Sequence, residues 1–276
     1  CMKDTEITCL CDNNVMLSSR LRGEHGISFL IEQGNKTVLF DTGQSFETLS
    51  HNATILGKDL RSVEAILLSH GHYDHTGGVI GVCRESRAPL YAHPAAFEKK
   101  YKTAKGMDPA YIGIPYGREE IETLSAIHLS AEPTKILPGV TLTGEIPRIT
   151  PSEAVPEVFQ KFVAGSFIKD DIADDQSIIV DNGEEAHIIL GCNHAGLMNT
   201  IERCKELTSS PITMVYGGTH LVAATPQRMA ETVTYLNDNE ITLHGYHCTG
   251  DRASFELRQA LRLPYEKGYV GMGYLL

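Results

Sequence analysis

One segment, residues 69–78 with the sequence SHGHYDHTGG, restricts the fold most, because it carries four potential metal ligands within six residues: His70, His72, Asp74 and His75. It directly follows residues 63–68, which are aliphatic after Glu64 and predict a strand buried on both faces. The glycines of the segment then predict a loop. Because open α/β sheets bind ligands in loops at the carboxyl ends of their strands, the segment predicts half of a metal site on an α/β fold.

The ligand types and their spacing indicate which ions the segment can hold. Imidazole is a borderline-soft donor and carboxylate a hard one, so the set favours zinc, with iron or manganese as alternatives, over calcium or magnesium. In an extended backbone His70 and His72 point the same way, and the last two ligands lie further along, a spacing that suits two adjacent ions. The alternative is a histidine-rich surface loop, which the preceding strand and the glycines disfavour. We therefore expect one or two ions, with zinc as the first candidate.

The motif HxHxDH of this segment resembles the signature of the metallo-β-lactamase superfamily. Residues 38–43, VLFDTG, are similar to the family's strand and DTG turn, and the resemblance extends along nearly the whole chain. Further segments resemble the branch labelled 7,8-dihydropterin-6-methyl-4-(β-D-ribofuranosyl)aminobenzene-5′-phosphate synthase-like: residues 24–29 (EHGISF), 174–175 (DD), 191–196 (GCNHAG), 217–220 (GGTH) and 247–250 (HCTG). The resemblance implies an α/β fold of the αββα sandwich type, in which helices cover two mixed sheets. The branch label does not by itself assign a reaction.

Two further histidines complete the ligand sets that the resemblance implies. His194 joins the first two histidines of the motif in a three-histidine set that leaves a position open for water, and His247 joins Asp74 and His75. Both follow predicted strands, and a hydrogen-bonded core histidine is the alternative for His194. Asp41, in the DTG turn, matches a family residue that supports the site by orienting a ligand imidazole.

The sequence departs from the family at one ligand position. Most members carry an Asp between the third and last ligand motifs, and its carboxylate bridges two ions, whereas here the strand end offers His220. The acids of that interval are predicted to lie on helices or surface turns: Glu202, Glu206, Glu231, Asp238 and Glu240. Because an imidazole that binds through one nitrogen cannot bridge two ions, His220 predicts one tight ion or two less closely coupled ones. Alternatively, His220 contacts substrate or orients a ligand through a hydrogen bond.

Strand and helix patterns alternate along most of the chain. Strands are predicted at residues 6–10, 27–31, 37–40, 65–68, 89–92, 140–143, 177–180, 186–190, 212–216 and 241–243. Helices are predicted at residues 46–56, from about 78, and at 94–100, 199–207, 226–236 and 253–261. We expect a single domain over residues 1–276, since a chain of 276 residues with 42% hydrophobic content can bury one large core.

Residues 106–167 interrupt this alternation with repeated prolines and predict an insertion or lid. A Pro-rich stretch of this length inside a compact enzyme is more often a substrate-facing insertion than a linker, and a passive covering layer is the equally weighted alternative. Arg148 and Glu153 are its candidates for substrate binding, together with Asp175 just beyond it. Two adjacent acids before a strand, Asp174 and Asp175, otherwise predict a solvated turn.

A formal net charge of −11 argues against a nucleic-acid partner, because phosphate backbones require clustered Lys and Arg over a broad face. One basic segment is the local exception: Lys99, Lys100, Lys102 and Lys105. We interpret it as a solvated helix face in preference to an anion-holding segment. A small-molecule substrate is expected, and the sequence leaves the oligomeric state open.

The seven cysteines show no paired spacing and argue for reduced thiols. No apolar run is long enough to span a membrane and no basic, apolar leader starts the chain, so the expected location is cytoplasmic. Cys1 ahead of Met2 is either a lipidated terminus or a residue left from cloning. The second is favoured because nothing near it indicates membrane attachment.

Three functions are compatible with these features. The favoured hypothesis is a metal-dependent hydrolase that acts on a small substrate through metal-activated water, with Asp74 as a ligand or as the proton acceptor; an anionic or phosphorylated molecule is the candidate substrate. The second is a transferase that joins a pterin-like electrophile to an arylamine sugar phosphate. The third is a non-catalytic metal-containing binding or sensor protein. A serine nucleophile is disfavoured because the chain has no Gly-x-Ser-x-Gly elbow.

Overall fold

Short aliphatic strands build two large sheets in the computed structural model, which describes residues 4–276. The alternatives stated for Cys1 lie outside the described residues. Within residues 4–276 the first sheet has seven strands, in the spatial order Gly273–Leu275, Thr5–Cys11, Ser28–Gln33, Lys36–Phe40, Ala65–Leu67, Leu90–Ala92 and Ile127–Leu129. The last four run parallel, so that the carboxyl ends of Lys36–Phe40 and Ala65–Leu67 lie side by side.

The second sheet resembles the first in size and in its parallel half. Over the described part of the chain it also has seven strands, in the order Glu266–Lys267, Thr242–Tyr246, Ile212–Gly218, Ala186–Leu190, Ile178–Asp181, Val140–Leu142 and Thr134–Leu137. The first four are parallel to one another. Three of these strands lead directly into the loops that carry the predicted histidines 194, 220 and 247.

An apolar core fills the space between the two sheets, where Phe29 and Phe40 from one sheet and Ile178 and Ile189 from the other are buried. Two further apolar clusters lie on the outer faces, beneath the helices. The α-helices are Phe46–Ile55, Tyr73–Thr76, Val79–Ser86, Arg118–Glu122, Leu197–Leu207, Pro226–Asp238 and Asp251–Ala260. Single 3₁₀ turns lie at Leu60–Ser62, Pro94–Phe97, Pro151–Glu153 and His247–Thr249. The layers form an αββα sandwich, which confirms the predicted fold class.

Local sequence explains where the principal helices begin. Ser45 caps Phe46–Ile55, because its hydroxyl accepts a hydrogen bond from the backbone N–H of Thr48 at 3.2 Å. Thr225 caps Pro226–Asp238 in the same way, and the first helical position holds a proline, where no N–H is needed. Among the helices described here, none combines the length and apolarity that crossing a bilayer requires.

The helix predicted over residues 94–100 is wrong. The segment forms one 3₁₀ turn, Pro94–Phe97, followed by a strand, Lys100–Lys102, which pairs with Phe159–Val163. Pairing with a strand nearly sixty residues away outweighs the local helical pattern, as tertiary context commonly does. The interpretation of the basic segment as a solvated helix face fails with it, because Lys100 is fully buried.

A third, small sheet lies over the strand ends. Among the described residues it consists of four antiparallel strands, Ser166–Lys169, Phe159–Val163, Lys100–Lys102 and Ala110–Tyr111. The Pro-rich stretch thus contains more regular structure than its sequence indicates, because strands of two to five residues fit between prolines without a visible period. Part of the stretch completes the two large sheets, at Ile127–Leu129, Thr134–Leu137 and Val140–Leu142. Phe159 of the small sheet stacks on His72, with ring centroids 5.8 Å apart.

Candidate metal centre

Strand-end loops from both large sheets bring the predicted ligands together. Among the described residues, three groups have all their potential ligand atoms within 4.8 Å of one another: His70, His72 and His194; Asp74, His75, Cys192 and His247; and Cys192, His194 and His220. All seven predicted ligands are therefore adjacent, although they come from four separate loops. Cys192, which we did not predict as a ligand, belongs to two of the groups.

The first group consists of three imidazoles. His70 Nε2 and His72 Nδ1 are 2.9 Å apart, and the His194 ring centroid lies 4.9 Å from that of His70 and 5.0 Å from that of His72. Burial lowers the pKa of His72 to about 3, so its ring is neutral at pH 7 and offers a lone pair. His72 Nε2 and both ring nitrogens of His194 are buried without a hydrogen-bond partner in the part of the chain described. Such orphaned nitrogens fit a bound cation, because buried polar atoms otherwise find a partner.

The second group combines a carboxylate, two imidazoles and a thiol. Asp74 Oδ2 lies 3.3 Å from His247 Nε2 and 3.7 Å from His75 Nε2, and the latter lies 3.2 Å from Cys192 Sγ. Burial opposes ionisation of Asp74, but the neighbouring imidazoles of His75 and His247 hold its pKa well below the usual range. An ionised carboxylate beside two imidazole nitrogens is a donor set suited to zinc, iron or manganese.

His220 extends the cluster on the side of His194. Its ring centroid is 4.3 Å from that of His194, and its Nδ1 has no hydrogen-bond partner within residues 4–276. The residue has a φ of 49°, a left-handed conformation that a residue without special local support rarely adopts. Its backbone N–H donates to Cys248 Sγ at 3.3 Å, which helps to hold this conformation.

Asp41 supports the ligands of the first sheet through hydrogen bonds. Its Oδ2 lies 2.6 Å from His75 Nδ1 and accepts from the Ser69 hydroxyl at 2.7 Å, while its Oδ1 accepts from the Ser69 N–H at 2.7 Å. Ser69 Oγ in turn lies 2.9 Å from His70 Nδ1. Burial disfavours the charged His75 ring, but the carboxylates of Asp41 and Asp74 raise its pKa to about 9. A hydrogen bond to Nδ1 leaves Nε2 directed at the other ligands, the orientation that metal-binding histidines require.

Three residues near the amino terminus also contact the site, and sequence reasoning gave none of them a role. The backbone N–H of His247 donates to Asp12 Oδ1 at 2.7 Å, and His247 Nδ1 lies 2.7 Å from Asn13 Oδ1. His25 Nε2 lies 3.2 Å from Asp74 Oδ2. Asp12 and Asn13 directly follow the strand Thr5–Cys11, so polar residues after a buried strand were the available signal.

A buried ion-pair cluster connects the small sheet to the motif loop. Lys100 Nζ lies 2.7 Å from Asp174 Oδ1 and 3.0 Å from Asp170 Oδ2, and Asp174 Oδ2 accepts from the Gly71 N–H at 2.7 Å. A Cβ on Gly71 would lie 1.9 Å from Ala96 O, so the loop is packed too closely for a side chain here. Asp174 and Asp175 are fully buried, so their interpretation as a solvated turn is wrong. Charged groups at this depth persist because they are paired.

Three predicted substrate-binding residues contact the backbone around His194. Arg148 donates to His194 O at 2.9 Å, Asp175 Oδ2 accepts from the Ala195 N–H at 2.7 Å, and Glu153 accepts from two N–H groups at the start of Leu197–Leu207. Burial raises the pKa of Asp175 to about 6. None of these three is among the residues that line the cavity above the ligands in the described chain.

That cavity has a volume of about 330 Å³. Its floor is formed by potential ligands: His72, Asp74, Cys192, His194, His220 and His247. Phe159, Ile112 and Val222 supply apolar walls, and Lys102 and His25 add polar groups. An αββα sandwich with imidazoles converging below a cavity at its strand ends defines a candidate metalloenzyme.

Comparison with known proteins agrees with this class. The sequence profile described as "Metallo-beta-lactamase superfamily" matches residues 22–169. The uncharacterised protein MJ0448 of Methanocaldococcus jannaschii is 34% identical over 268 residues, which covers 96% of this chain and 98% of that protein. The chain therefore belongs to the metallo-β-lactamase superfamily, whose fold implies binding of divalent metal.

Two further relatives are similar over nearly the full length. A Methanocaldococcus jannaschii protein named 7,8-dihydropterin-6-methyl-4-(beta-D-ribofuranosyl)-aminobenzene-5′-phosphate synthase is 29% identical over 280 residues, covering 96% of this chain and 95% of that protein. The crystal structure of Tm1679, described as a metal-dependent hydrolase of the β-lactamase superfamily, has a TM-score of 0.86 and 28% identity, with 98% of each chain covered. These relatives differ in the type of reaction that their names state.

Proposed function

We propose that this chain is a metal-dependent hydrolase that acts on a small, anionic or phosphorylated substrate through metal-activated water. The observation that carries the proposal is the convergence of unpaired, buried imidazole nitrogens with Asp74 on the floor of a cavity. His70, His72 and His194 would hold one ion, and Asp74, His75 and His247 a second, with zinc as the first candidate. When bound, such an ion supplies Lewis acidity and brings the pKa of a water ligand to about 7.

The chain's own groups supply the proton chemistry. Asp74 Oδ2 lies between His25 Nε2 at 3.2 Å and His247 Nε2 at 3.3 Å, and its lowered pKa keeps it ionised. In the proposal this carboxylate has one of two roles: it binds the second ion, or it accepts a proton from water at the cavity floor. His25 is half-exposed at the cavity wall and can pass that proton to solvent.

The cavity walls support the substrate class. Phe159, Ile112 and Val222 give one side of the cavity an apolar surface. Lys102 provides a positive charge at the wall, whereas its neighbour two residues before, Lys100, is neutralised by buried carboxylates. A small molecule with an anionic group and an apolar or aromatic portion matches this lining.

The test measures metal content and turnover on the same preparations. The protein is reconstituted with zinc, manganese or iron, analysed for metal, and assayed against ester, thioester, phosphoester and lactam substrates. The double variant His70→Ala, His194→Ala should lose turnover and the ion that these histidines would hold, whereas His128→Ala, which removes an exposed histidine outside the site, should retain both. Stoichiometric metal without turnover of any class favours the non-catalytic alternative. Metal content and turnover that survive the double variant contradict the proposal.

A transferase is the second candidate, supported by similarity over 96% of the chain to a relative named as a synthase. In that reaction a pterin-like electrophile would be joined to an arylamine sugar phosphate, and Phe159 and Tyr73 at the cavity would stack on an aromatic ring. Extraction of the purified protein and mass spectrometry distinguish the candidates. A retained pterin or arylamine sugar phosphate favours the transferase, and its absence together with turnover in the hydrolysis assays favours the hydrolase.

A further inference from the structure

We propose that Cys192 Sγ is the ligand shared by the two ions, in place of the bridging carboxylate that this chain lacks. The inference rests on the metal-binding part of the proposed function and is independent of the reaction. It concerns a residue of the loop 191–196 that neither sequence reasoning nor the names of the relatives assign as a ligand.

The position of the sulfur carries the inference. Cys192 Sγ lies within 4.8 Å of a ligand atom of Asp74, His75 and His247 on one side and of His194 and His220 on the other. Within residues 4–276 it is the atom common to the last two of the three ligand groups, and His194 connects it to the first group. The side chain is buried, with an exposure of 4%, and its sulfur lies 3.2 Å from His75 Nε2.

The donor chemistry explains why a thiolate can fill this role. An imidazole nitrogen has one lone pair and therefore binds one ion, whereas a thiolate sulfur has several lone pairs and can bind two. Asp74 is the sole carboxylate in the three groups found among the described residues, and it belongs to only one of them. Thiolate is also a preferred donor for zinc. Binding requires the thiolate form, so the thiol proton leaves to solvent as the ions bind.

The backbone next to Cys192 is closely packed, which fixes the position of its Cα. A Cβ added to Gly191 would lie 2.1 Å from Ser69 Oγ, and one added to Gly218 would lie 2.5 Å from Gly191 O. The Gly218 N–H also donates to Gly191 O at 3.0 Å. The loop is therefore held between the first sheet and the neighbouring strand of the second sheet, with no room for a side chain at either glycine.

Unpartnered groups around the sulfur provide independent support. His194 Nδ1 and Nε2 and His220 Nδ1 find no hydrogen-bond partner within the described residues. These residues share ligand groups with Cys192, so their free nitrogens and the sulfur converge on the same space. A cation bound there satisfies all of them at once.

Cys248 offers a matched control in the same cavity. It also lines the cavity, but its sulfur accepts from the His220 N–H and contacts Cys192 O, both at 3.3 Å, and it belongs to none of the ligand groups found in the described chain. The two thiols therefore differ in what they contact, although both follow parallel strands of the second sheet that flank Ile212–Gly218. Serine at position 192 should remove a metal ligand, and serine at position 248 should not.

The first test uses cobalt(II) as a spectroscopic probe. The cobalt-loaded protein should show a thiolate-to-cobalt charge-transfer absorption that Cys192→Ser removes and Cys248→Ser retains. In Cys192→Ser the content of tightly bound cobalt should fall from two ions to one or fewer per chain after dialysis. Absorption that persists in Cys192→Ser but disappears in Cys248→Ser overturns the proposal, as does cobalt content that neither substitution changes.

The second test needs no variant and therefore holds even if Cys192→Ser does not fold. X-ray absorption spectroscopy of the zinc-loaded protein should show two zinc ions per chain and an average of one sulfur neighbour per zinc at about 2.3 Å. Zinc with only nitrogen and oxygen neighbours, one sulfur for two zinc ions, or a single zinc per chain overturns the shared ligand but leaves the metal site intact. A protein that binds no metal contradicts the proposed function itself.

Discussion

The two halves of the metal centre are supported in different ways. On the motif loop, residues 69–78, side chains orient the imidazoles directly, as Asp41 does for His75 and Ser69 for His70. On the dispersed loops, residues 191–196, 217–222 and 247–250, most supporting contacts go to the backbone, while the ring nitrogens of His194 have no partner in the described chain. His70 and His75 of the first half are therefore preorganised by the protein, whereas in the second half Asn13 orients His247 and the rings of His194 and His220 depend on a bound ion.

The largest expected effect comes from the ion pairs beneath the motif loop. Lys100→Met leaves Asp170 and Asp174 buried without their cation, and we expect the free energy of unfolding to fall by roughly 3–5 kcal/mol. Chemical denaturation measures this change. Lys102→Met, on the same strand but exposed, should change it by less than about 0.5 kcal/mol. Equal effects of the two substitutions would show that the motif loop does not depend on this buried cluster.

The next effect concerns orientation of the motif-loop imidazoles. Asp41→Asn keeps the shape of the side chain but removes the charge that holds His75, so metal affinity should fall by about 10–100-fold. Competition with a chelator measures the affinity. Asp59→Asn, which disrupts an exposed pair with Arg61, is the control and should leave the affinity unchanged. An unchanged metal affinity in Asp41→Asn would show that Asp41 does not preorganise the ligands of the motif loop.

A similar substitution in the second half should act mainly on its backbone. Arg148→Met removes the donors to His194 O and Ile172 O, at an expected cost of about 1–3 kcal/mol in the free energy of unfolding. Arg118→Met, from an exposed pair with Glu122, serves as the control and should cost about 0–1 kcal/mol. If Arg148→Met lowers the free energy of unfolding no more than Arg118→Met does, the Arg148 side chain does not support the His194 loop.

The smallest expected effect is a local change in amide hydrogen exchange, measured in both halves of the metal centre. After removal of metal with a chelator, amide hydrogen exchange should accelerate by roughly tenfold or more in residues 191–196 and 217–222, and less in residues 69–78. The reason is that ring contacts to Asp41 and Ser69 remain on the motif loop, whereas the dispersed loops lose the ion that fixes their histidines. Equal acceleration in all loops would mean that neither half is preorganised.

The same contrast explains how far the sequence could predict the site. His70, His72, Asp74 and His75 are contiguous and follow one buried strand, so a local pattern was sufficient to find them. Histidines 194, 220 and 247 could be nominated because each follows a strand, but their meeting depends on the order of parallel strands in the second sheet.

Contacts between distant segments could not be predicted. The local pattern of residues 94–100 predicts a helix, yet Lys100 lies on a strand and pairs with Asp174, more than seventy residues away. Cys192 could not be nominated as a ligand, since a lone cysteine carries no spacing signal, and its membership of two ligand groups depends on how loops from both sheets meet. Asp12, which follows a strand of the first sheet, likewise accepts a hydrogen bond from His247, which follows a strand of the second sheet.

The central claim is that strand-end loops from both sheets together form a metal centre, and a crystal structure with anomalous difference maps recorded at metal absorption edges tests it most directly. We expect one anomalous peak among His70, His72 and His194 and a second among Asp74, His75 and His247, with Cys192 Sγ between them. Anomalous peaks at neither group, or an ion bound elsewhere with these imidazoles in contact only with protein, would contradict the account.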